Sequence, residues 1–156
     1  MINDVINFFD FETIYLFANW GIIPFWFLLI ILPNHSLTNF LAKSVVAPLL
    51  LAIAYIFVSY NIYIQGNILD SFELYQGLDG LYSMFSNEAF LLVFWLHFLA
   101  ISLFTGAWIV RDSQKYFIWR FLVIVVLVLT YFTGPVGLLL YWFIRIFFAK
   151  KVSFND

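Results

Sequence analysis

Residues Phe90 to Asp112 read FLLVFWLHFLAISLFTGAWIVRD, and twenty-one of them, Phe90 to Val110, pass without a formal charge. That is the length an α-helix needs to cross a hydrocarbon core of about 30 Å. Within the run sit His97, Ser102, Thr105 and Gly106, and Arg111-Asp112 closes it. On a helix, His97, Ile101, Phe104, Trp108 and Arg111 recur at spacings of four, three, four and three, so they share one stripe. An imidazole at that depth needs a protein, water or ligand partner, because hydrocarbon offers no hydrogen bond. The stripe is therefore expected to face a polar interior.

The rest of the chain has the same character. Of its 156 residues, 65% are hydrophobic and 10% are charged, where soluble domains carry about a quarter charged residues. This places the chain in the membrane class. A net charge of −2 gives no basic footprint for nucleic acid, and none is expected as a partner. The absence of cysteine excludes disulfides, thiolate metal sites, Fe–S clusters and thiol nucleophiles. Two histidines, His35 and His97, are too few for a histidine-rich di-iron site, so neither a metal nor another cofactor is expected. Aromatic residues make up 23% of the chain and 21 residues are Phe, a bias that fills lipid-facing surface, with Trp and Tyr at the interfaces. An aromatic-walled pocket for a long apolar or polyene ligand is the alternative reading.

Four spans are predicted, at about 11–32, 42–63, 89–110 and 117–148. The N-terminal MINDVINFFDFET carries acids and no Lys or Arg, the reverse of a cleavable signal, so the first span is expected to stay in the membrane. In it Glu12, Tyr15, Asn19, Ile22 and Trp26 form a stripe, and Pro24 is expected to kink the helix or free a carbonyl. Asn19 is either glue between helices or a ligand contact. Pro33-Asn34-His35-Ser36 is turn chemistry, and His35 takes no role. In the second span Ser44, Pro48, Ala52, Tyr55 and Ser59 form a small, polar face of the kind used for packing. Residues 65–88 contain Asp70, Glu73, Asp79 and Glu88 without a basic residue, and their apolar period predicts a short amphipathic helix at the bilayer surface. Arg111 to Lys115 reads as a tight polar connection. The last stretch is too long for one span and too short for two plus a turn, so a break or kink is expected at Gly134-Pro135.

Orientation is nearly balanced in this scheme. Lys43, Arg111, Lys115 and Arg120 fall on one side, against Arg145, Lys150 and Lys151 on the other. The shorter connections make the first set cytoplasmic, with the acidic segment outside. A re-entrant hairpin beginning at Gly134-Pro135 would instead put all seven basic residues on one side. The fold class is thus all-α: a polytopic membrane protein with a single transmembrane domain, a four-transmembrane-helix bundle carrying a short amphipathic helix between spans 2 and 3.

No phosphate-binding glycine loop, HExxH or GxSxG occurs. What carries chemistry is a set of polar and aromatic positions in order. They are Ala18-Asn19-Trp20 with Pro24 and Trp26; Trp95-x-His97-x-x-Ala100-x-x-x-Phe104-x-Gly106-x-Trp108; Arg111-Asp112; and Gly134-Pro135-Val136-Gly137-Leu138-Leu139-x-Tyr141 with Arg145. This set resembles the abscisic-acid-deficient-four-like membrane proteins, whose plant members are required for neoxanthin formation from violaxanthin.

The resemblance implies a four-span protein acting in carotenoid metabolism. Converting an epoxide end group to an allene is an isomerisation, and it needs a base to remove a proton and an acid to help open the epoxide. On that reading His97 is the base or acid, Arg111, Asp112 or Arg145 assists charge development, and Asn19 orients the oxygen function. His97, Asn19, Arg111 and Asp112 are then the candidate catalytic residues. Trp26, Tyr55, Trp95, Ser102, Phe104, Trp108, Thr133, Tyr141 and Arg145 are the candidate substrate contacts. Arg145 is expected to pair with an acid, to meet freed carbonyls, or to snorkel to the interface. The expected partners are a carotenoid or lipid ligand, the bilayer, and a second copy or a partner membrane enzyme. With no plastid transit sequence in view, the expected location is a bacterial inner membrane. A non-catalytic carotenoid- or lipid-binding subunit and a small transporter subunit stay open as alternatives.

Overall fold

The structure, a computed structural model, describes residues 10–44, 46–64, 72, 75 and 77–150. These form α1 (Phe11–Ile31), α2 (Ser36–Leu41), α3 (Val46–Ile64), α4 (Leu78–Phe85), α5 (Glu88–Lys115), α6 (Arg120–Thr133) and α7 (Pro135–Ala149). No strand occurs among the described residues. Among the described residues, three stretches are long and apolar enough to cross a membrane: α1, the Ser36–Ile64 stretch that contains α2 and α3, and α5. The expected short helix before the third span is α4, while 65–71, 73, 74 and 76 lie outside the described residues.

Local chemistry sets the helix ends. Asp10 accepts a hydrogen bond from the Thr13 amide at 2.8 Å and so caps the open N–H groups of α1. The helix then runs unbroken through Pro24. His35, given no role from sequence, caps α2: its Nδ1 accepts from the Leu37 amide at 3.2 Å. Arg111 to Lys115 are not the connection they were expected to form, because α5 continues through them. The helix stops where the Ile118 amide reaches the Ser113 carbonyl at 2.9 Å and Phe117 turns to φ 54°. This is a Schellman ending with a phenylalanine in the left-handed position that glycine usually fills, at a cost of about 1 kcal/mol.

The chain divides into two compact units, Met1–Gly21 with Leu49–Ala100, and Ile22–Pro48 with Ile101–Asp156. The first unit buries Ile14, Ala18, Leu51, Val58, Leu92 and Leu96 among others. The second buries Trp26, Leu29, Leu103, Val110, Val126, Leu127 and Tyr141. Close approach in the second unit depends on glycine. A Cβ on Gly106 would stand 2.7 Å from Cη2 of Trp26, so the indole lies where any larger residue would project.

The fourth expected span is the main correction. The break at Gly134 is present, but it reverses the chain instead of kinking it. Gly134 adopts φ 57° and ψ −86°, Pro135 starts α7 at a position that needs no N–H, and α7 packs back along α6. Trp119, just before α6, and Phe148, near the end of α7, bring their rings to 6.0 Å. At 14 and 15 residues, the arms are about 21 and 22 Å long, each short of a bilayer core. Gly137 makes the fold-back possible, since a Cβ there would stand 2.6 Å from Cα of Thr130. Gly137→Ala is therefore expected to destabilise the protein by about 1–3 kcal/mol in micelle unfolding. Gly21→Ala, where nothing lies within 4 Å, should instead be neutral or stabilising by up to about 1 kcal/mol.

Candidate functional site

A polar cluster lies inside the second unit. Asp112 comes from the penultimate turn of α5; Tyr141 and Arg145, four residues apart, share one face of α7. The Tyr141 hydroxyl donates to Asp112 Oδ2 at 2.6 Å, and Arg145 Nε donates to the same oxygen at 2.7 Å. Arg145 Nη2 reaches Asp112 Oδ1 at 3.5 Å and the Tyr116 hydroxyl at 3.3 Å. The guanidinium also lies over two rings, 4.9 Å from the centroid of Tyr116 and 5.0 Å from that of Trp142. Trp108 closes the group, edge-on to Tyr141 at 5.4 Å and tilted against Trp142 at 6.3 Å.

Burial explains why these residues need one another. The Arg145 side chain is 1% exposed and that of Asp112 12%. Withdrawn from water, either charge alone would cost several kcal/mol; paired and hydrogen-bonded, the two neutralise each other. Of the three fates expected for Arg145, pairing with an acid is the one observed, and snorkelling is not. The acid does not pair with its sequence neighbour: Arg111 is exposed, and Asp112 turns to α7. Chemically, the arrangement puts a carboxylate and a phenol within one short hydrogen bond, beside a fixed cation.

Of the residues singled out from sequence, Asp112, Trp108, Tyr141 and Arg145 come together here. Tyr116 and Trp142 were missed, although Tyr116 follows Asp112 by four residues and Trp142 adjoins Tyr141. Elsewhere in this unit, Ser102 is buried, Phe104 is exposed, and the exposed Thr133 donates its hydroxyl to the Leu129 carbonyl of its own helix at 2.7 Å. Trp26 is 4% exposed, with its ring 5.4 Å from Tyr131 and its Nε1 without a hydrogen-bond partner.

Asn19, Tyr55, Trp95 and His97 belong to the first unit. Trp95 Nε1 donates to Asn19 Oδ1 at 2.8 Å, which links α1 to α5. His97 does not face an enclosed polar chamber. It is exposed, 6.4 Å from the ring of Tyr55, at a small cleft of about 170 Å³ that Met84 and Phe85 also line. Its stripe is the outer side of α5: His97, Ile101, Phe104 and Arg111 are all exposed and Trp108 is half-buried. The buried row is aliphatic instead, with Leu92, Leu96, Leu99 and Leu103.

Comparison with known proteins adds one finding. A family model described as ABA DEFICIENT 4-like matches residues 13–141. No curated protein and no solved structure matches the chain. The matched stretch includes Asn19, His97, Asp112 and Tyr141 and covers most of the length. With helices long enough to cross a bilayer and this match, the chain belongs to the ABA DEFICIENT 4-like family.

Proposed function

We propose that this protein binds a carotenoid or related isoprenoid in the bilayer and isomerises it by proton transfer at Asp112 and Tyr141. The observation that carries this reading is the 2.6 Å hydrogen bond between the Tyr141 hydroxyl and the Asp112 carboxylate, held by Arg145. The family supports it through the part its plant members play in forming neoxanthin. In an epoxide-to-allene conversion, the carboxylate removes a proton from carbon, and the freed electron pair forms the new double bond. The C–O bond of the epoxide breaks, and its oxygen takes the phenolic proton. Passage of the proton from Asp112 to the tyrosinate restores the starting state, so no oxidant or reductant is consumed. Arg145 offsets the negative charge throughout. The half-buried indoles of Trp108 and Trp142 supply a flat apolar surface beside the pair. His97 takes no step in this scheme.

A second reading, a non-catalytic ligand-binding subunit, is favoured by how fully the Asp112 oxygens are already engaged. The two readings separate in a pigment-producing host. The full-length protein is expected to copurify with a coloured isoprenoid. Tyr141→Phe should retain the pigment while lowering turnover by about 10²–10⁴-fold, the usual contribution of a general acid. Retained pigment with unchanged turnover would favour the binding subunit, and a colourless preparation without extractable isoprenoid would sink both.

A further inference from the structure

We propose that a cleft in the second unit, separate from the Asp112 cluster, seats an anionic phospholipid. The cleft holds about 490 Å³, within the range of small-molecule sites. Its walls are aliphatic, formed by Leu29 and Ile30 of α1, Val110 of α5, and Val123, Ile124 and Leu127 of α6. Its other lining residues include Asn34, Gln114 and Arg120. An occupant must therefore be apolar over most of its length and polar at one end.

The charge at that end is positive and unbalanced. Arg120 Nη2 donates to the carbonyls of Ile30 and Ile31 at the end of α1, which fixes the guanidinium without neutralising it. Gln114 Nε2 bonds Asn34 Oδ1 at 2.7 Å, and its Oε1 accepts from Lys43 Nζ at 2.9 Å, which brings a second cation to the same edge. The one acid among the described residues of this unit, Asp112, is committed to Arg145. Basic pockets between membrane helices hold anionic lipid headgroups in this manner. A phosphodiester meets Arg120 and Lys43 while an acyl chain fills the aliphatic walls. Free phosphate lacks the chain, and a zwitterionic lipid lacks the net charge.

The test uses the full chain, delipidated in detergent micelles and titrated by native mass spectrometry. Phosphatidylglycerol is expected to bind at least about fivefold more tightly than phosphatidylcholine of the same chains, the effect of roughly one basic residue at a membrane surface. Arg120→Gln should cut that preference severalfold, leaving what Lys43 supplies, and Arg120→Lys should keep it, which separates the charge from the packing of the side chain. Ile124→Trp, which fills the cleft, should weaken both lipids alike. Equal affinity for the two lipids, a preference undiminished by Arg120→Gln, or an Ile124→Trp variant that binds as before would each overturn the proposal. So would displacement of phosphatidylglycerol by an equal concentration of inorganic phosphate.

Discussion

Arg145→Met is expected to lower the stability of the folded chain by about 3–5 kcal/mol, the usual result of stripping a buried charge of its partner. The geometry argues for the full effect. Arg145 is 1% exposed and bonds Asp112 at 2.7 Å, so its loss leaves a carboxylate away from water with a phenol as its remaining close donor. Asp112→Leu should cost a similar amount, because it removes the anion that balances the buried guanidinium. The two changes together should recover much of the loss, since an apolar pair of similar volume is often neutral or stabilising. Unfolding curves of the single and double variants in micelles measure the coupling directly. Strictly additive losses would mean that the two charges are stabilised separately and that the network is incidental.

A second large effect concerns which ends of the chain share a side of the membrane. Because α6 and α7 form a hairpin, Arg120 and Lys150 lie at the same end of it, as the Trp119–Phe148 contact requires. The Lys43–Gln114, Arg120–Ile31 and Arg145–Asp112 contacts gather the other cations of the second unit around the C-terminal ends of α1 and α5. Lys43, Arg111, Lys115, Arg120, Arg145 and Lys150 thereby fall toward one end, and by the positive-inside rule that end is expected to be cytoplasmic. α1 and α5 are each long enough to cross a bilayer core, so the starts of both helices are expected outside. The chain has no cysteine, so single cysteines report cleanly. Asp79→Cys should react with an impermeant maleimide in intact cells, and Asn34→Cys and Lys150→Cys only after permeabilisation. The difference is all-or-none. A Lys150→Cys protein labelled from outside would restore one continuous fourth span.

The spans were legible because length and apolarity alone set them, and each long run is bounded by charge or turn residues. The place of the break was legible too, in Gly134-Pro135. Its angle was not, because that depends on Gly137 fitting against Thr130 and on Trp119 meeting Phe148, residues that become neighbours only after the reversal. The facing of α5 was misread for a related reason. When nearly every position is apolar, polarity ceases to mark the inner side, and the shape-matched row of Leu92, Leu96, Leu99 and Leu103 decides it. Asp112, Tyr141 and Arg145 were each singled out, Arg145 as a charge at depth, Asp112 in a polar connection and Tyr141 as a ligand contact. Their union was hidden by a sequence separation of 33 between the charges.

That separation bears on how the protein is made. The acid leaves the ribosome well before its cation does, and the translocon receives a third span whose carboxylate has no counter-charge. Neither arm of the α6–α7 hairpin is long enough to cross a bilayer core alone, so both are expected to enter together. Assembly of the second unit thus waits until Arg145 has been made, and a chain cut short before it would carry an orphaned acid.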